Sequence, residues 1–151
     1  MDSAKQPGIK VDRVLLVDSV AHRHPIDNPS VIIPKSKFDF DHGYSDSNHL
    51  HGWSKFRITL DLLTETDEKE LANFNVEYIG EFSVEGGSEN MDLEDFLKFY
   101  SPAILLPYIR QHISDMTMRC GLPPFIIPPL NIPDLIKTMQ KSVPEKEQSS
   151  S

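Results

Sequence analysis

The segment PAILLPYIRQHISDMTMRCGLPPFIIPPLNIP, residues 102–133, joins a helical apolar stripe to a stretch in which prolines recur. The stripe is formed by side chains three or four positions apart: Leu105, Tyr108, Ile109, His112, Ile113, Met116 and Cys120. This spacing predicts an amphipathic helix. Pro107 has no amide hydrogen, so the helix is predicted to begin close to Pro107 or to be kinked there. Gly121 is predicted to end it.

The prolines between residues 122 and 133 exclude a regular helix or a central strand. Pro133 suits the first turn of a last helix, with Leu135, Ile136 and Met139 on one side. The irregular part nevertheless holds five large apolar residues: Phe125, Ile126, Ile127, Leu130 and Ile132. Such a segment must pack across another surface or line a groove, and exposed apolar grooves usually mark binding sites.

The residues before this segment predict strands and then a short helical stretch. Strands are expected over residues 9–17, 31–40, 56–62 and 72–84, the last two from regular alternation of apolar and polar residues. The short polar connection between the last two favours an antiparallel hairpin. A turn at GGSEN, residues 86–90, precedes a helical stripe made by Leu93, Phe96, Leu97 and Tyr100. We therefore predict an α+β fold, in which a four-stranded antiparallel sheet carries a long amphipathic helix and a C-terminal helix on one face.

The bulk properties of the chain predict its general class. Its 151 residues fit one domain, placed at residues 9–141 between flexible termini at 1–8 and 142–151. A net charge of -8 argues against a nucleic-acid partner, because that affinity rests on Lys and Arg. The single cysteine, Cys120, suits a reducing compartment. With no signal-peptide core and no apolar run near the roughly 20 residues that cross a bilayer, we expect a cytoplasmic protein without membrane insertion.

Acidic residues concentrate in the middle of the chain. From Asp61 to Asp95 there are twelve acids and one base, Lys69. One face of the fourth strand presents a polar row: Asn73, Asn75, Glu77, Ile79, Glu81, Ser83 and Glu85. The row is equally consistent with solubility and with docking of a partner.

The motif DFDHGYSDSNHLH, residues 39–51, is the richest source of chemical groups, and HRH at residues 22–24 adds two imidazoles. The possible metal ligands or acid–base groups in it are Asp39, Asp41, His42, Asp46, His49 and His51. Zinc needs a third ligand, whose position an H-x-H spacing does not dictate. A solvated loop rich in Gly, Ser and Asn explains the same residues and is the favoured interpretation. We predict no catalytic residue, no metal and no cofactor.

The runs YSPAILLPYIRQHISDMTMRCGLP and PPLNIPDLI resemble the SecB family of protein-export chaperones. The matching positions are Tyr100, Pro102, Ile104, Leu105, Pro107, Tyr108, Arg110, Ile113, Met116, Arg119, Gly121, Leu130, Asn131 and Ile132. The resemblance implies a SecB-like fold assembled as a dimer of dimers, a homotetramer. It also implies binding of unfolded precursor proteins in apolar grooves without ATP, and their delivery to the SecA motor.

The resemblance also suggests sites in this sequence. The client-binding groove would comprise Phe74, Tyr78, Phe125, Ile127, Leu130 and Ile132. The subunit-interface helix would present Tyr108, Ile109, His112, Ile113 and Met116. An acidic docking face would use Asp18, Glu77 and Glu81, since His22 and Asn75 stand where the family has acids.

The leading prediction is an ATP-independent holdase that supports protein export. A specialised SecB-like chaperone for one partner, such as an antitoxin, is the alternative of the same fold. A His/Asp metal-dependent enzyme, built on residues 39–51, is the alternative of a different class.

Overall fold

A computed structural model gives the fold of residues 8–66, 69–85 and 91–137. Four strands come first, and they are β1 (Ile9–Arg23), β2 (Ile32–Tyr44), β3 (His51–Thr64) and β4 (Glu70–Val84). The helical part comprises α1 (Leu93–Asp95), a π-helical turn (Phe96–Tyr100), α2 (Ser101–Arg119) and α3 (132–137). The predicted α+β class, four-stranded antiparallel sheet, long helix and short C-terminal helix are confirmed. The predicted turn at 86–90, Met139 and most of both termini lie outside the described residues.

The strands lie in the order β1-β4-β3-β2, and every pair is antiparallel. The edges of the sheet are therefore β1 and β2. All four strands are longer than predicted. The prediction ended β1 at residue 17, whereas its pairing with β4 continues from Asp18 opposite Glu77 to Arg23 opposite Ala72. Polar residues on both faces of this extension, such as Asp18 and Ser19, interrupt the apolar pattern that would have predicted it.

The core lies between that sheet and α2. Even-numbered residues 52–62 of β3 and 72–82 of β4 lie on the helix side of the sheet, and all of them except Tyr78 are buried, as the alternation predicted. Among the largest fully buried side chains are Phe56, Ile58, Leu60, Phe74, Val76, Leu105, Ile109 and Ile113. A second cluster at the other end of the sheet joins Phe82 to Leu93, Phe96 and Leu97. Burial of this apolar area is the main stabilising contribution to the fold.

The first residue of α2 contradicts one of the two predicted alternatives, a helix start near Pro107. The helix begins at Ser101 and passes through Pro107, so a start near Pro107 was wrong. Pro102 occupies the first turn, where a missing amide hydrogen costs nothing. Packing of Leu105 and Leu106 on the sheet offsets the hydrogen bond that Pro107 cannot donate. Gly121 has a φ of 74° and ends the helical region, as predicted.

The connection from β1 to β2, residues 24–31, passes from one edge of the sheet to the other and is anchored to the end of α2. The Arg23 guanidinium donates to the carbonyl oxygens of Cys120 at 3.3 Å and Ile26 at 2.9 Å. The Asn28 side chain donates to the Gly121 carbonyl oxygen at 3.0 Å. Among the described residues, no helix is both long enough and apolar enough to cross a membrane.

Gly80 of β4 sets how closely α2 approaches the sheet. A Cβ atom at this position would lie 2.8 Å from two ring carbons of Phe82 and 3.1 Å from Cδ2 of Leu105. We expect Gly80→Ala to lower the free energy of unfolding by about 1–3 kcal/mol, because overpacking forces side chains or α2 to shift. Urea denaturation measures the loss.

The close approach to the Phe82 ring predicts that the stability effects of substitutions at Gly80 and Phe82 are not additive. The cost of Gly80→Ala should be smaller in a Phe82→Leu background, where the ring that it meets is absent. An equal cost in both backgrounds would contradict the proposed steric origin.

Candidate functional site

The proline-rich segment after Gly121, residues 122–131, is held against α2 by hydrogen bonds to side chains of that helix. The backbone amide of Phe125 donates to Oγ1 of Thr117 at 2.9 Å, and Thr117 donates to the Ile113 carbonyl oxygen at 3.0 Å. Nε of Arg110 donates to the Ile127 carbonyl oxygen at 3.3 Å. The segment is therefore fixed in place, although residues 122–131 contain no helix or strand.

An apolar cavity of about 170 Å³ opens between this segment and the β2 edge of the sheet. It is lined by Ile32, Pro34, Leu62, Leu122, Pro123, Pro124 and Phe125. Next in the chain, Ile126 leaves 63% of its surface exposed. Because β2 is an edge strand, an extended peptide could approach its backbone while placing an apolar side chain in the cavity.

The six residues predicted for the client-binding groove all lie in or against one apolar cluster. Phe74, Ile127 and Ile132 are buried in it, while Tyr78, Phe125 and Leu130 are partly buried against it. Phe125 alone among the six lines the cavity described above. Their role as a groove stays a prediction.

Three strand residues of the cavity, Ile32, Pro34 and Leu62, were not predicted as site residues. They come from two strands that meet only in the folded sheet, where Pro34 lies opposite Leu62. A proline in a strand favours an edge position, and this was the available signal in the sequence.

The five residues predicted for the subunit-interface helix divide into two groups. Ile109, Ile113 and Met116 face the sheet and are buried within this chain. Tyr108 is 46% exposed, and its ring centroid lies 5.7 Å from that of Tyr78. His112 is partly buried, with its Nε2 atom 2.8 Å from Oγ of Ser19 on β1.

On the side of the sheet that α2 covers, β1 exposes apolar side chains. Val11 and Leu16 lie opposite Phe82 and Tyr78, so they share the face on which α2 packs, and both are exposed. Burial lowers the pKa of His112, an effect that Arg119 reinforces and Asp115 opposes. His112 is therefore neutral near pH 7 and suited to a weakly polar contact surface.

The face of the sheet away from the helices, called the outer face here, holds the three acids predicted for docking. Nε of Arg57 donates to Oε2 of Glu77 at 2.8 Å, and its Nη1 donates to Oδ2 of Asp18 at 3.0 Å. The same Nη1 also donates to Oδ1 of Asn75. One arginine on β3 thus joins β1 and β4 across the sheet.

Glu81, the third predicted docking acid, also has an arginine partner. Arg13 donates to both carboxylate oxygens of Glu81 through Nε and Nη2, the latter at 3.1 Å. This bidentate hydrogen bond lowers the pKa of the Glu81 carboxyl. The structure therefore brings Asp18, Glu77 and Glu81 to one face, with each carboxylate paired to an arginine; their docking role stays a prediction.

The strand register places bases beside the acids of the outer face, so this face is mixed in charge rather than uniformly acidic. Its bases are Lys10, Arg13, Lys35, Lys37, Lys55 and Arg57. Its acids within the strands are Asp12, Asp18, Asp39, Asp41, Asp61, Glu70, Glu77 and Glu81, counting Asp12 at a β-bulge, whose carboxylate accepts a hydrogen bond from Ser83. The row of acids on β4 is thus offset by bases on the strands beside it, which local sequence could not reveal.

Asp46, His49 and His51 build the turn between β2 and β3. Asp46 accepts hydrogen bonds from the backbone amides of Leu50 and His51 and pairs with Nδ1 of His51 at 2.7 Å. His49, with a φ of 58°, stacks on Tyr44 at a centroid distance of 3.9 Å. Within the described ranges, no three His, Cys, Asp or Glu side chains are grouped so as to hold a metal ion. The residues predicted as possible ligands are used in local turn structure or lie along β2, as Asp39, Asp41 and His42 do.

The comparisons with known proteins point to one family. The model of the family described as preprotein translocase subunit SecB matches residues 5–142. The protein-export protein SecB of Caulobacter vibrioides strain NA1000 / CB15N is 40% identical over 78 residues, which cover 50% of this chain and 47% of that relative. This match thus spans about half the length of the relative. SecB of Methylococcus capsulatus is 27% identical over 119 residues, covering 78% of this chain and 76% of the relative.

A solved structure has the same fold. It is a SecB-like chaperone of Mycobacterium tuberculosis in complex with a peptide from the HigA1 antitoxin. The TM-score is 0.70 at 17% sequence identity, and the match covers 82% of this chain and 91% of that chain.

The Arg13–Glu81 pair predicts a pH-dependent contribution to stability. Because the pKa of Glu81 is lowered in the folded state, its contribution is present above the ordinary value of 4.5 and is lost as the pH falls through the lowered value. The stability difference between wild type and Glu81→Gln should therefore be positive near neutral pH and shrink towards zero in acid. Chemical denaturation at a series of pH values measures it.

Glu65→Gln is the matched control, since Glu65 lies in the exposed turn after β3 and the described residues show no ion pair for it. A Glu81→Gln difference that stays constant from neutral to acid pH would contradict the prediction.

Proposed function

Because the chain belongs to the SecB family, whose members are chaperones and not enzymes, we propose that it is a holdase that binds unfolded preproteins without ATP and supports their export. The observation that carries this proposal is the apolar cavity beside the β2 edge, together with the exposed Ile126, which follows the lining residue Phe125 in the chain. We place its action in the cytoplasm, where preproteins are made before export.

The proposed mechanism follows from the two kinds of surface at this site. An unfolded client offers extended backbone and scattered apolar side chains. The edge of β2 provides main-chain hydrogen-bonding groups that do not depend on client sequence. The cavity, lined entirely by apolar residues, accepts one large side chain at a time. The site thus accepts many client sequences, and each single contact contributes only modest affinity.

No nucleotide is needed in this proposal because the binding surface is fixed rather than switched. Thr117 and Arg110 tie the proline-rich segment to α2, so the cavity wall is formed before a client arrives. Preorganisation reduces the entropy lost on binding, and release follows from the weakness of single contacts.

We also propose that subunits associate through the exposed strip formed by Val11, Leu16, Tyr108 and the neighbouring His112. This strip joins the edge strand β1 to α2, and it exposes apolar side chains that a second copy of the chain would cover. The family-based expectation is a dimer of dimers. Delivery of clients to SecA would use the outer face, through Asp18, Glu77 and Glu81.

The holdase proposal predicts suppression of client aggregation by the purified chain in the absence of nucleotide. Replacing Ile126 with Ser should weaken client binding by about 1 kcal/mol, or roughly fivefold, because an apolar contact is lost. Light scattering from a refolding client at increasing chaperone concentrations measures both effects.

Val20→Ser is the control for Ile126→Ser, because Val20 is an exposed apolar residue of β1 on the outer face. No suppression by wild type, or equal losses in the two variants, would refute the proposed site. Suppression limited to a single client would favour the alternative of a dedicated partner, such as an antitoxin.

The assembly proposal predicts that wild type is a tetramer by native mass spectrometry. Tyr108→Glu should shift the population to smaller species, because it places a charge in the proposed contact strip. Gln111→Glu adds the same charge to an exposed position of α2 and should leave the tetramer intact. A wild-type monomer, or an equal effect of the two substitutions, would argue against this interface.

A further inference from the structure

The edge strand β2 changes the sign of its charge halfway along the outer face. Its charged residues on this face are, in order, Lys35, Lys37, Asp39 and Asp41, and all four are exposed. The two lysines are called the basic half of β2 here, and the two aspartates the acidic half. Side chains two residues apart lie on the same face of a strand, roughly 7 Å from each other. The edge therefore presents two positive charges followed by two negative ones.

The charges of β2 are not taken up by the strand beside it. On β3 the cross-strand neighbours of the four residues are, in order, Asp61, Thr59, Arg57 and Lys55. Arg57 already donates to two carboxylates on other strands, and Nζ of Lys55 lies 5.2 Å from the centroid of the Trp53 ring. Among the described residues, no side chain forms an ion pair with either half of β2. A strand added at the free edge would lie about 5 Å from β2 and about 10 Å from β3, so the charges of β2 would act on it most strongly.

The helix side of β2 offers an apolar row along the same edge. The ring centroids of Phe38 and Phe40 lie 5.9 and 5.7 Å from that of Phe56, and both rings are only partly buried. Pro34, at the end next to the basic half, lines the apolar cavity. A client strand on β2 would thus place alternate side chains over the apolar row, and the remaining ones beside the two halves of opposite charge.

We propose that this change of charge along β2 sets the direction in which a client segment binds. The occupant is an extended segment that runs antiparallel to β2, which is the slightly more stable kind of pairing. From its N-terminus it carries basic residues beside the acidic half, then acidic residues beside the basic half. A large apolar residue follows and enters the cavity next to Pro34. Opposite charges across a strand pair stabilise the pairing, and like charges destabilise it.

This inference rests on the proposed client site and adds a preferred direction to it. The cavity and the backbone of β2 accept many sequences, whereas the charges rank the directions and registers in which one segment binds. A segment whose charged blocks are exchanged relative to its apolar residue can either fill the cavity or pair its charges, but it cannot do both.

Two end-capped peptides of equal composition, KVKVESEL and EVEVKSKL, test the proposal. In the first peptide the leucine reaches the cavity while all four charges are paired. In the second, the same position places lysines beside the basic half and glutamates beside the acidic half. KVKVESEL should bind roughly tenfold more tightly at low ionic strength, because four cross-strand pairs differ in sign. Fluorescence anisotropy measures both affinities, and added salt should reduce their ratio.

Single charge reversals on the two edge strands provide a matched control. Lys37→Glu reverses one charge of the basic half and should lower the affinity ratio to roughly threefold. Lys10→Glu makes the same change on the outer face of β1, where Lys10 is exposed, and should leave the ratio unchanged. A variant with all four charges of β2 reversed should bind EVEVKSKL more tightly than KVKVESEL.

The outcomes separate this proposal from the client site on which it rests. Equal affinities of the two peptides for wild type, or equal ratios in Lys37→Glu and Lys10→Glu, would overturn the preferred direction and leave the client site standing. No binding of either peptide would overturn both the direction and a client site at the β2 edge. Suppression of client aggregation is a separate readout, which shows whether the chain is a holdase at all.

Ile126→Ser gives one further check. It removes an apolar contact and no charge, so it should weaken both peptides by the same factor and leave their ratio unchanged. A ratio that falls to one in this variant would show that apolar contacts, and not the charges of β2, discriminate between the peptides.

Discussion

The packing of α2 on the even-numbered face of β3 and β4 is the interaction on which the rest of the structure depends. The fully buried residues of the main core come largely from these three elements, and the helix can approach the sheet closely because Gly80 has no side chain. Once α2 is in place, its C-terminal half and the residues just after it hold both irregular connections. Arg23 and Asn28 tie residues 24–31 to Cys120 and Gly121, while Thr117 and Arg110 tie the proline-rich segment to the helix.

This arrangement explains how a segment without helix or strand can form part of a binding surface. A chain rich in proline loses less conformational entropy on folding than an ordinary loop, because φ is already restricted. The remaining cost is offset by buried residues such as Ile127, which the segment contributes to the main core. Its neighbour Ile126 is consequently held exposed instead of collapsing inward. A fixed apolar side chain at the surface is the property that the proposed client site needs.

Much of the fold was predictable from the sequence because its signals are local. The alternation in β3 and β4, the helical spacing from Leu105 to Met116 and the stop at Gly121 each depend on residues close in the chain. The family resemblance added the overall architecture. The start of α2 was less predictable, since the choice between helix interior and helix start at Pro107 depends on burial of Leu105 and Leu106 against a distant sheet. The cavity was not predictable in full for the same reason, because Ile32, Leu62 and Phe125 meet only after folding.

The charge of the outer face was the property that the sequence of single strands predicted least well. Read along β4, Glu77 and Glu81 belong to a polar and acidic row, but each is paired with an arginine from a different strand, Arg57 on β3 and Arg13 on β1. Strand register is a long-range property, and it determines whether an acid faces water, another acid or a base. The same number of acids can therefore produce an attractive field for cations or almost none. A sequence position that matches a family's acidic residue accordingly identifies a docking surface only when its neighbours across the sheet are also known.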